Sequence, residues 1–286
     1  MNRVLVTGCN GQLGKEMQEV IARFGDFEGI FTDYEELDIT DESAVIRFVE
    51  ETRPRFIVNC AAYTAVDRAE TDERAAWLLN VRAVRNLVNA AERVGAFLVH
   101  ISTDYVFDGT SSVPYKESDP EHPVSVYGRT KAEGERAVLD YEWGTVVRTS
   151  WLYSPHGNNF AKTIRRLGRE RSVLQVVFDQ VGTPTYALDL AETLFHLMSR
   201  WADGHYVAGL YHFSNEGVCS WYDFAREILL SSEMACSVQP VESSAFPSPV
   251  KRPSYSVLNK AKIKSLLQIE IRHWQDAWRH CLTRFD

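Results

Sequence analysis

The chain contains 286 residues, of which 45% are hydrophobic and 12% aromatic, a composition typical of a folded globular protein rather than a disordered one. The formal net charge of −8 at pH 7 argues against a main role in binding nucleic acid, because phosphate groups require clustered lysine and arginine side chains. The sequence contains no apolar run near the ~20 residues that a membrane helix needs, so we expect no membrane partner either.

The five cysteines are odd in number and scattered, and they show no CxxC or Cys/His metal spacing. They therefore predict free thiols in a reducing compartment. The first residues, MNRVLVTG, have the pattern of a strand and a glycine turn and do not resemble a signal peptide. We expect a cytoplasmic protein.

The first half of the chain alternates short apolar strands with amphipathic helices. Strands are predicted for RVLVTG, GIFTD, FIVNCAA and FLVHIST. The helical patterns between them are QLGKEMQEVIARFG, TDESAVIRFVEETRP and RAAWLLNVRAVRNLVNAAERVG. This alternation predicts an α/β fold with a doubly wound parallel sheet of the Rossmann type, covered by helices on both faces.

After residue 150 the pattern changes, because turn residues gather in YSPHGNN, QVGTPT and AFPSPVKRPS, and strands such as GLYHFSN alternate with shorter helices. We predict a dinucleotide-binding domain over residues 1–150 and a smaller mixed α/β substrate-binding lobe mainly over 151–286. Parts of 151–205 are expected to pack back onto the first domain. The strand TVVRTSWLY is expected in the main sheet, and the helix in TPTYALDLAETLFHLMSRW against it.

Three glycines, Gly8, Gly11 and Gly14, directly follow the first predicted strand. In a dinucleotide-binding turn the first glycine permits the tight turn, the second lets the backbone approach a diphosphate, and the third allows close helix packing. The diphosphate would then lie at the helix N-terminus. About 20 residues further on, Asp33 ends the second strand, where a carboxylate can accept hydrogen bonds from ribose hydroxyls. Asp38 is a second candidate, and a solvated acidic loop is the alternative for both.

Hydroxyl and carboxyl side chains end the fourth strand, at Ser102, Thr103 and Asp104. Ligands of open parallel sheets bind outside the carboxyl ends of the strands, so these groups are expected to face the cofactor. Further on, VYGRTKAEGE places Tyr127 and Lys131 four residues apart, on one face of a predicted helix. A lysine ammonium ~4 Å from the phenol would lower the phenol pKa by roughly 3 units before desolvation, into the range of acid–base catalysis. The alternative is an aromatic and a cation on a solvated face.

Together these motifs resemble an extended short-chain dehydrogenase/reductase, and more narrowly the dTDP-4-dehydrorhamnose reductase family. The resemblance is carried by GCNGQLG, LDIT, IVNCAAYTAVDRAE, STDYVFDG, YGRTKAEGE, RTSWLY, GNNFAKT and DQVGTPT, and it continues in GLYHFSN and RPSYSVLN. It therefore covers nearly the whole chain. The combination is specific, although no single motif is.

The resemblance implies a catalytic triad of Thr103, Tyr127 and Lys131. It implies that a nucleotide-sugar substrate is reduced with NADPH or NADH at the C4 ketone, from dTDP-4-dehydro-L-rhamnose to dTDP-L-rhamnose. It also implies two sets of binding residues: Gln12, Leu13, Asp38, Ile39, Ala62, Tyr63 and Thr64 for the dinucleotide, and Thr103, Asp104 and Trp151 for the sugar.

Some members of the family have a magnesium site at a dimer interface, so a homodimer is an expectation. Glu16 matches one carboxylate of that site, but Leu188 stands where another acid is expected, and we predict no metal site. For the substrate diphosphate, Lys251 and Arg252 are the candidate cations in an acidic chain, with an exposed basic loop as the alternative.

Two other functions share the fold. An NDP-sugar epimerase or dehydratase retains the tyrosine and lysine but holds NAD tightly and recycles it. A regulatory subunit of the methionine adenosyltransferase type is not catalytic. The complete set of Thr103, Tyr127 and Lys131 favours an enzyme.

Overall fold

The structure is a computed structural model that describes residues 2–285. Its strands are β1 (Asn2–Thr7), β2 (Phe27–Thr32), β3 (Phe56–Asn59), β4 (Phe97–Thr103), β5 (Gly144–Thr149), β6 (Leu152–Tyr153), β7 (Val173–Val177), β8 (Val181–Gly182), β9 (Thr185–Tyr186), β10 (Gly209–His212), β11 (Cys219–Ser220) and β12 (Ser237–Val241). Its α-helices are α1 (Gln12–Phe24), α2 (Glu42–Thr52), α3 (Val66–Ala69), α4 (Glu73–Trp77), α5 (Ala83–Val94), α6 (Val126–Leu139), α7 (Phe160–Glu170), α8 (Ala187–Ala202), α9 (Trp221–Ser231), α10 (Ala261–Leu267) and α11 (Trp274–Leu282).

Six strands form the central sheet, in the order β2, β1, β3, β4, β5, β10, and all neighbours in it are parallel. Successive side chains of each strand point to opposite faces, so the sheet carries two apolar cores. Val4, Val58 and Val99 belong to one core, whereas Leu5 and Ile57 belong to the other. Helices α1 and α8 pack together on the first face and α2 and α5 on the second, which confirms the doubly wound parallel sheet.

The helix boundaries follow the local capping signals. Helix α1 ends at Gly25, whose φ of 72° is a left-handed conformation that glycine adopts without strain. The side chain of Asp41 caps α2 by accepting a hydrogen bond of 3.0 Å from the Ala44 amide. The long helix predicted before β4 is interrupted, because a π-helical segment, Leu78–Arg82, separates α4 from α5.

The second half of the chain contributes to both parts of the molecule. Strand β10, which the sequence pattern assigned to the smaller lobe, instead pairs with β5 at the edge of the central sheet. As expected, β5 lies in this sheet, and α8 packs against α1. The remaining short strands form three two-stranded ladders. One apolar core extends from α1 and α8 to Phe224 and Trp278 in the C-terminal part, so no solvent layer separates the two parts. Across the described residues, none of the helices is long and apolar enough to span a membrane.

Candidate active site

A cavity of about 1000 Å³ opens at the carboxyl ends of the central strands. Parallel sheets of this kind bind ligands at that edge. Fifteen of the predicted site residues line this cavity: Gly8, Gly11, Gln12, Leu13, Asp33, Asp38, Ile39, Ala62, Tyr63, Thr64, Thr103, Asp104, Tyr127, Lys131 and Trp151. The predicted residues Gly14, Lys251 and Arg252 are not among the residues that line it.

The glycine loop forms a cradle between β1 and α1. Gly8 has a φ of 66°, and a Cβ atom there would lie 2.7 Å from the Ala61 amide nitrogen. A Cβ on Gly14 would lie 2.3 Å from the Gly8 carbonyl oxygen, so Gly14 serves helix packing beneath the loop. Gly11 begins α1 without a side-chain cap, and the first turn carries no acidic residue. Free amides and the positive end of the helix dipole therefore suit an anion, which fits the diphosphate of a dinucleotide.

The two acidic candidates at the second strand each hold backbone in place. Asp33 accepts hydrogen bonds of 2.9 Å from the Asn10 amide and 2.8 Å from the Tyr34 amide, so it ties the glycine loop to the end of β2. Asp38 accepts from the Thr40 amide at 2.9 Å and from its hydroxyl at 2.7 Å. Both also line the cavity, and their contact with an adenosine ribose stays a prediction.

The loop after β3 is fixed by a residue that the sequence patterns did not single out. Asn80 lies in the π-helical segment and is fully buried. Its side chain accepts a 2.9 Å hydrogen bond from the Tyr63 amide and donates to the Tyr63 carbonyl and the Thr130 hydroxyl at 3.2 and 3.1 Å. Helical segments with π geometry occur often at functional sites, and here the segment holds the Ala62–Thr64 wall against α6.

Tyr127 and Lys131 lie in the first two turns of α6, which begins at Ser125 through a 3.1 Å hydrogen bond from the Gly128 amide. Their exposed fractions are only 9% and 1%, and both line the cavity. The alternative of a solvated helix face is therefore wrong. A buried lysine and a buried tyrosine at the carboxyl edge of a parallel sheet are instead typical of a functional site.

The expected lowering of the Tyr127 pKa by Lys131 is not what the structure shows. Burial raises the pKa of the Tyr127 phenol above its ordinary value of 10; the Thr103 hydroxyl opposes this rise, and the Asp104 carboxylate adds to it. The Lys131 Nζ donates a 2.6 Å hydrogen bond to the Ile101 carbonyl, and the lysine does not offset the rise that burial causes. In the free protein the phenol therefore keeps its proton at neutral pH.

Thr103 and Asp104 form a hydrogen-bonded pair at the end of β4. The Thr103 hydroxyl donates to Asp104 Oδ1 at 3.0 Å and accepts from the Tyr105 amide at 3.2 Å. Burial raises the pKa of the Asp104 carboxyl to about 6, and hydrogen bonds with Ser256 and Thr103 oppose that rise. The pair thus presents a hydroxyl and a carboxyl of near-neutral pKa beside the Tyr127 ring.

Trp151 forms an aromatic wall of the cavity. Its φ of 49° is a left-handed conformation that is strained for a tryptophan, and its ring stacks on Trp221 with centroids 3.5 Å apart. A Cβ on Gly182 would lie 2.7 Å from the indole, so that glycine gives the ring its space. A strained, stacked aromatic side chain over an open cavity fits a binding surface better than a simple core residue.

Arg252 lies outside the cavity wall. Both carboxylate oxygens of Asp67 accept hydrogen bonds of 2.8 Å from it, and the Tyr105 hydroxyl lies 3.2 Å away. Lys251 is exposed. Arg252 is thus ion-paired next to Tyr105, which does line the cavity, and its contact with a substrate diphosphate stays a prediction.

Glu16, which matches one carboxylate of a metal site in some family members, lies in a cluster apart from the residues that line the cavity. Glu16, Glu19 and His156 place ligand atoms within 4.8 Å of one another, and sequence reasoning had named only Glu16. Arg284 donates to Glu16 at 2.8 Å and to Glu19 at 2.5 Å, which balances much of the negative charge. Leu188 is buried in the apolar core.

Comparison with known proteins places the chain among nucleotide-sugar reductases. The family model "RmlD substrate binding domain" matches residues 1–286. A dTDP-4-dehydrorhamnose reductase of Aggregatibacter actinomycetemcomitans is 41% identical over 98% of both chains. A dTDP-4-keto-6-deoxy-D-glucose reductase of Streptomyces niveus is 41% identical over 96% of this chain and 95% of its own length.

The solved structure of dTDP-4-dehydrorhamnose reductase from Bacillus anthracis str. Ames in complex with NADP has a TM-score of 0.95 and 39% identity, over 99% of this chain and all of that one. Similarity of this extent in sequence and structure is not limited to the glycine loop or to any other single motif. The chain belongs to the dTDP-4-dehydrorhamnose reductase family.

Proposed function

We propose that this protein reduces the C4 ketone of dTDP-4-dehydro-L-rhamnose to dTDP-L-rhamnose, with NADPH or NADH as the reductant. The observation that carries the proposal is one cavity whose wall joins the glycine cradle of α1 to the buried hydroxyls of Tyr127 and Thr103. A dinucleotide held by the cradle would extend along the edge of the sheet toward those hydroxyls. The name of the NADP-bound relative supports the same cofactor class.

The residues that would hold the dinucleotide lie in three adjacent loops. The amides at the N-terminus of α1, at Gln12 and Leu13, would face the diphosphate, Asp38 and Ile39 would lie near the adenosine, and the Ala62–Thr64 loop would line the path between them. Bound reduced nicotinamide supplies the hydride in this reaction class.

The side chains of this protein would handle the proton and the substrate oxygen. Reduction turns the C4 carbonyl oxygen into an alkoxide, which needs a proton, and Tyr127 donates it as a general acid. Burial raises the pKa of its phenol, so the proton is in place at neutral pH, and a positive charge on Lys131 would offset the weaker acidity as the phenolate forms. Thr103 orients the same oxygen, and Lys131 compensates the phenolate that forms when Tyr127 loses its proton.

The substrate would bind against the opposite wall of the cavity. Trp151 offers an apolar surface to the sugar, and Asp104 offers a hydrogen-bond partner for a sugar hydroxyl. The diphosphate would compete with Asp67 for Arg252, since a guanidinium binds phosphate and carboxylate through the same two N–H groups. This last role requires Arg252 to leave its present ion pair.

The direct test is a spectrophotometric assay that follows reduced-nicotinamide absorbance with dTDP-4-dehydro-L-rhamnose as substrate. We expect stoichiometric NADPH consumption and formation of dTDP-L-rhamnose, identified by chromatography and NMR. A parallel assay with dTDP-4-keto-6-deoxy-D-glucose shows whether this protein prefers instead the substrate in the name of the Streptomyces relative. Purified protein that carries oxidised NAD and consumes no added NADPH would contradict the proposal in favour of an epimerase or dehydratase.

We infer a homodimer in the cytoplasm as the working form. The five free cysteines support a reducing compartment. Light scattering at assay concentration tests the assembly, with a mass of twice the 32.6 kDa chain as the expected result and a monomer mass as the contrary one.

A further inference from the structure

A row of buried polar side chains crosses the sheet beneath the cavity and ends at Lys131. Thr7 is paired with Asn59 in the register of β1 and β3, and Asn59 with His100 in the register of β3 and β4. Each of these residues is only 1% exposed, and so is Lys131. Their side chains are joined by hydrogen bonds of 2.7 Å (Thr7 to Asn59), 2.9 Å (Asn59 to His100) and 3.1 Å (His100 to Lys131).

Asn59 determines which groups donate and which accept along this row of hydrogen bonds. Its Oδ1 accepts a 3.1 Å hydrogen bond from the Ala61 backbone amide, and a backbone N–H can only donate. The oxygen of the side-chain amide therefore faces Ala61, together with the Thr7 hydroxyl. The NH₂ group consequently faces His100 and donates to its Nδ1.

An imidazole that accepts at Nδ1 must carry its proton at Nε2 when it is neutral. Burial lowers the pKa of His100 well below its ordinary value, so the ring is neutral at pH 7. The Nε2–H group of His100 therefore points at Lys131 Nζ, 3.1 Å away.

Lys131 consequently meets a donor where an ammonium would need an acceptor. A neutral amine has one lone pair, which can accept from the His100 Nε2–H group, while one of its own N–H groups donates to the Ile101 carbonyl at 2.6 Å. An ammonium in the same position would place two N–H groups against each other in a buried site.

We propose that His100 is a positioning residue for Lys131: its Nε2–H group faces the lysine Nζ, opposes the ammonium form and so sets the pH at which this lysine loses its charge. Asn59 contributes to the same effect, because its side-chain amide fixes the tautomer of His100. The consequence for turnover rests on the proposed reductase function, whereas the hydrogen-bond directions do not.

The other charged groups near Lys131 are consistent with this assignment. Burial lowers the pKa of Lys131 to about 8, and Glu135, one helical turn further along α6, opposes the shift. Glu135 is itself paired with the buried Arg148 of β5 at 2.6 Å, which weakens its influence on the lysine. Tyr127, the remaining titratable neighbour on this face of α6, is neutral because burial raises its pKa.

These hydrogen bonds would bring the pKa of Lys131 close to the pH at which the enzyme works. When Tyr127 gives its proton away it becomes a phenolate, and the lysine ammonium is the form that stabilises it. Turnover is therefore expected to fall as the pH rises through the pKa of Lys131. A lysine with an ordinary pKa would remain charged over that whole range.

Two NMR measurements on the free, full-length protein test the proposal without any turnover. The ¹⁵N shifts of the histidine rings report the tautomer of His100, and a ¹³Cε-lysine titration, assigned with Lys131→Met, reports the midpoint of Lys131. We expect a proton on Nε2 of His100 and a Lys131 midpoint near 8, well below that of an ordinary lysine. A proton on Nδ1, or a charged His100 ring at pH 7, would overturn the proposal.

The decisive variant is Asn59→Asp, which exchanges the NH₂ donor for a carboxylate acceptor of the same shape. The His100 proton should move to Nδ1, which frees Nε2 to accept from an ammonium, and the Lys131 midpoint should rise by about one pH unit or more. Thr7→Val is the matched control, since it removes a hydroxyl from the same amide but leaves the Ala61 hydrogen bond and the direction of the row. It should change neither the tautomer nor the midpoint.

The proposal requires the His100 tautomer and the Lys131 titration midpoint to change together. If the His100 proton moves to Nδ1 in Asn59→Asp and the Lys131 midpoint does not change, the proposal is overturned. It is also overturned if the midpoint rises while the proton stays on Nε2, because the negative charge of the introduced carboxylate alone would then explain the rise. In the assay, the alkaline limb of kcat/KM should shift upward with the midpoint in Asn59→Asp. If both NMR results hold and no nucleotide sugar is reduced, the proposed function fails and the assignment of His100 stands.

Discussion

The buried carboxylate of Asp104 lowers the free energy of unfolding, and the substitution Asp104→Asn should remove this destabilisation. The side chain is only 2% exposed, and burial raises the pKa of its carboxyl from 3.8 to about 6. The folded state therefore binds the proton more tightly than the unfolded state, so the folded protein loses stability as the pH rises from about 3.8 to 6 and regains none above it.

The size of this cost follows from the two pKa values. The rise of the pKa from 3.8 to about 6 corresponds to about 3 kcal/mol of unfolding free energy at pH 8, and about half of that is lost at pH 5. Asparagine does not titrate, so Asp104→Asn should be the more stable protein, with a gain about twice as large at pH 8 as at pH 5.

Urea unfolding at pH 5 and pH 8 measures both gains, and Asp26→Asn, which removes an exposed carboxylate, is the control with an expected change below ~0.5 kcal/mol. The same Asp104→Asn protein should bind or reduce its substrate less well. A gain that is absent, or that is equal at the two pH values, would show that the Asp104 carboxyl is not held in an unfavourable environment.

Three further outcomes are expected. NADH and NADPH should be used within about tenfold of each other in kcat/KM, because Asp33 is tied to backbone amides and no arginine neighbours it in the sequence; a ratio beyond about a hundredfold would contradict this. Gly14→Ala should cost about 1–3 kcal/mol in urea unfolding, since its Cβ would lie 2.3 Å from the Gly8 oxygen, and an unchanged stability would refute that crowding. Arg252→Ala should raise the KM for the nucleotide sugar, and an unchanged KM would remove Arg252 from the site.

The sequence patterns predicted the sheet and the glycine cradle because both depend on local signals. An apolar strand, three glycines and an amphipathic helix lie within 24 residues at the start of the chain, and the structure joins them as expected. The prediction for β10 was wrong, because a strand of four residues with no characteristic helix beside it in the sequence does not indicate which sheet it joins.

The site residues that sequence reasoning missed are polar groups held by long-range contacts. His100 and Asn59 lie inside apolar strand patterns, where a single polar residue gives no signal of its own, and only the strand register makes them neighbours. Asn80 became significant through a π-helical turn that the helical period could not show. The pKa of Tyr127 was misjudged because four residues of spacing give a shared helix face but not the direction of the Lys131 amine.

The catalytic assignment of Tyr127 is the central claim, and the kcat of Tyr127→Phe tests it most directly. The substitution keeps the ring against Tyr105 and removes only the hydroxyl, and Tyr206→Phe, which removes an exposed hydroxyl, is the control with normal turnover. General acid catalysis typically contributes 10²–10⁴-fold, about 3–5 kcal/mol of barrier, so we expect a kcat lowered by that factor in a folded protein that still binds NADPH. A kcat near that of the unsubstituted protein would contradict the account.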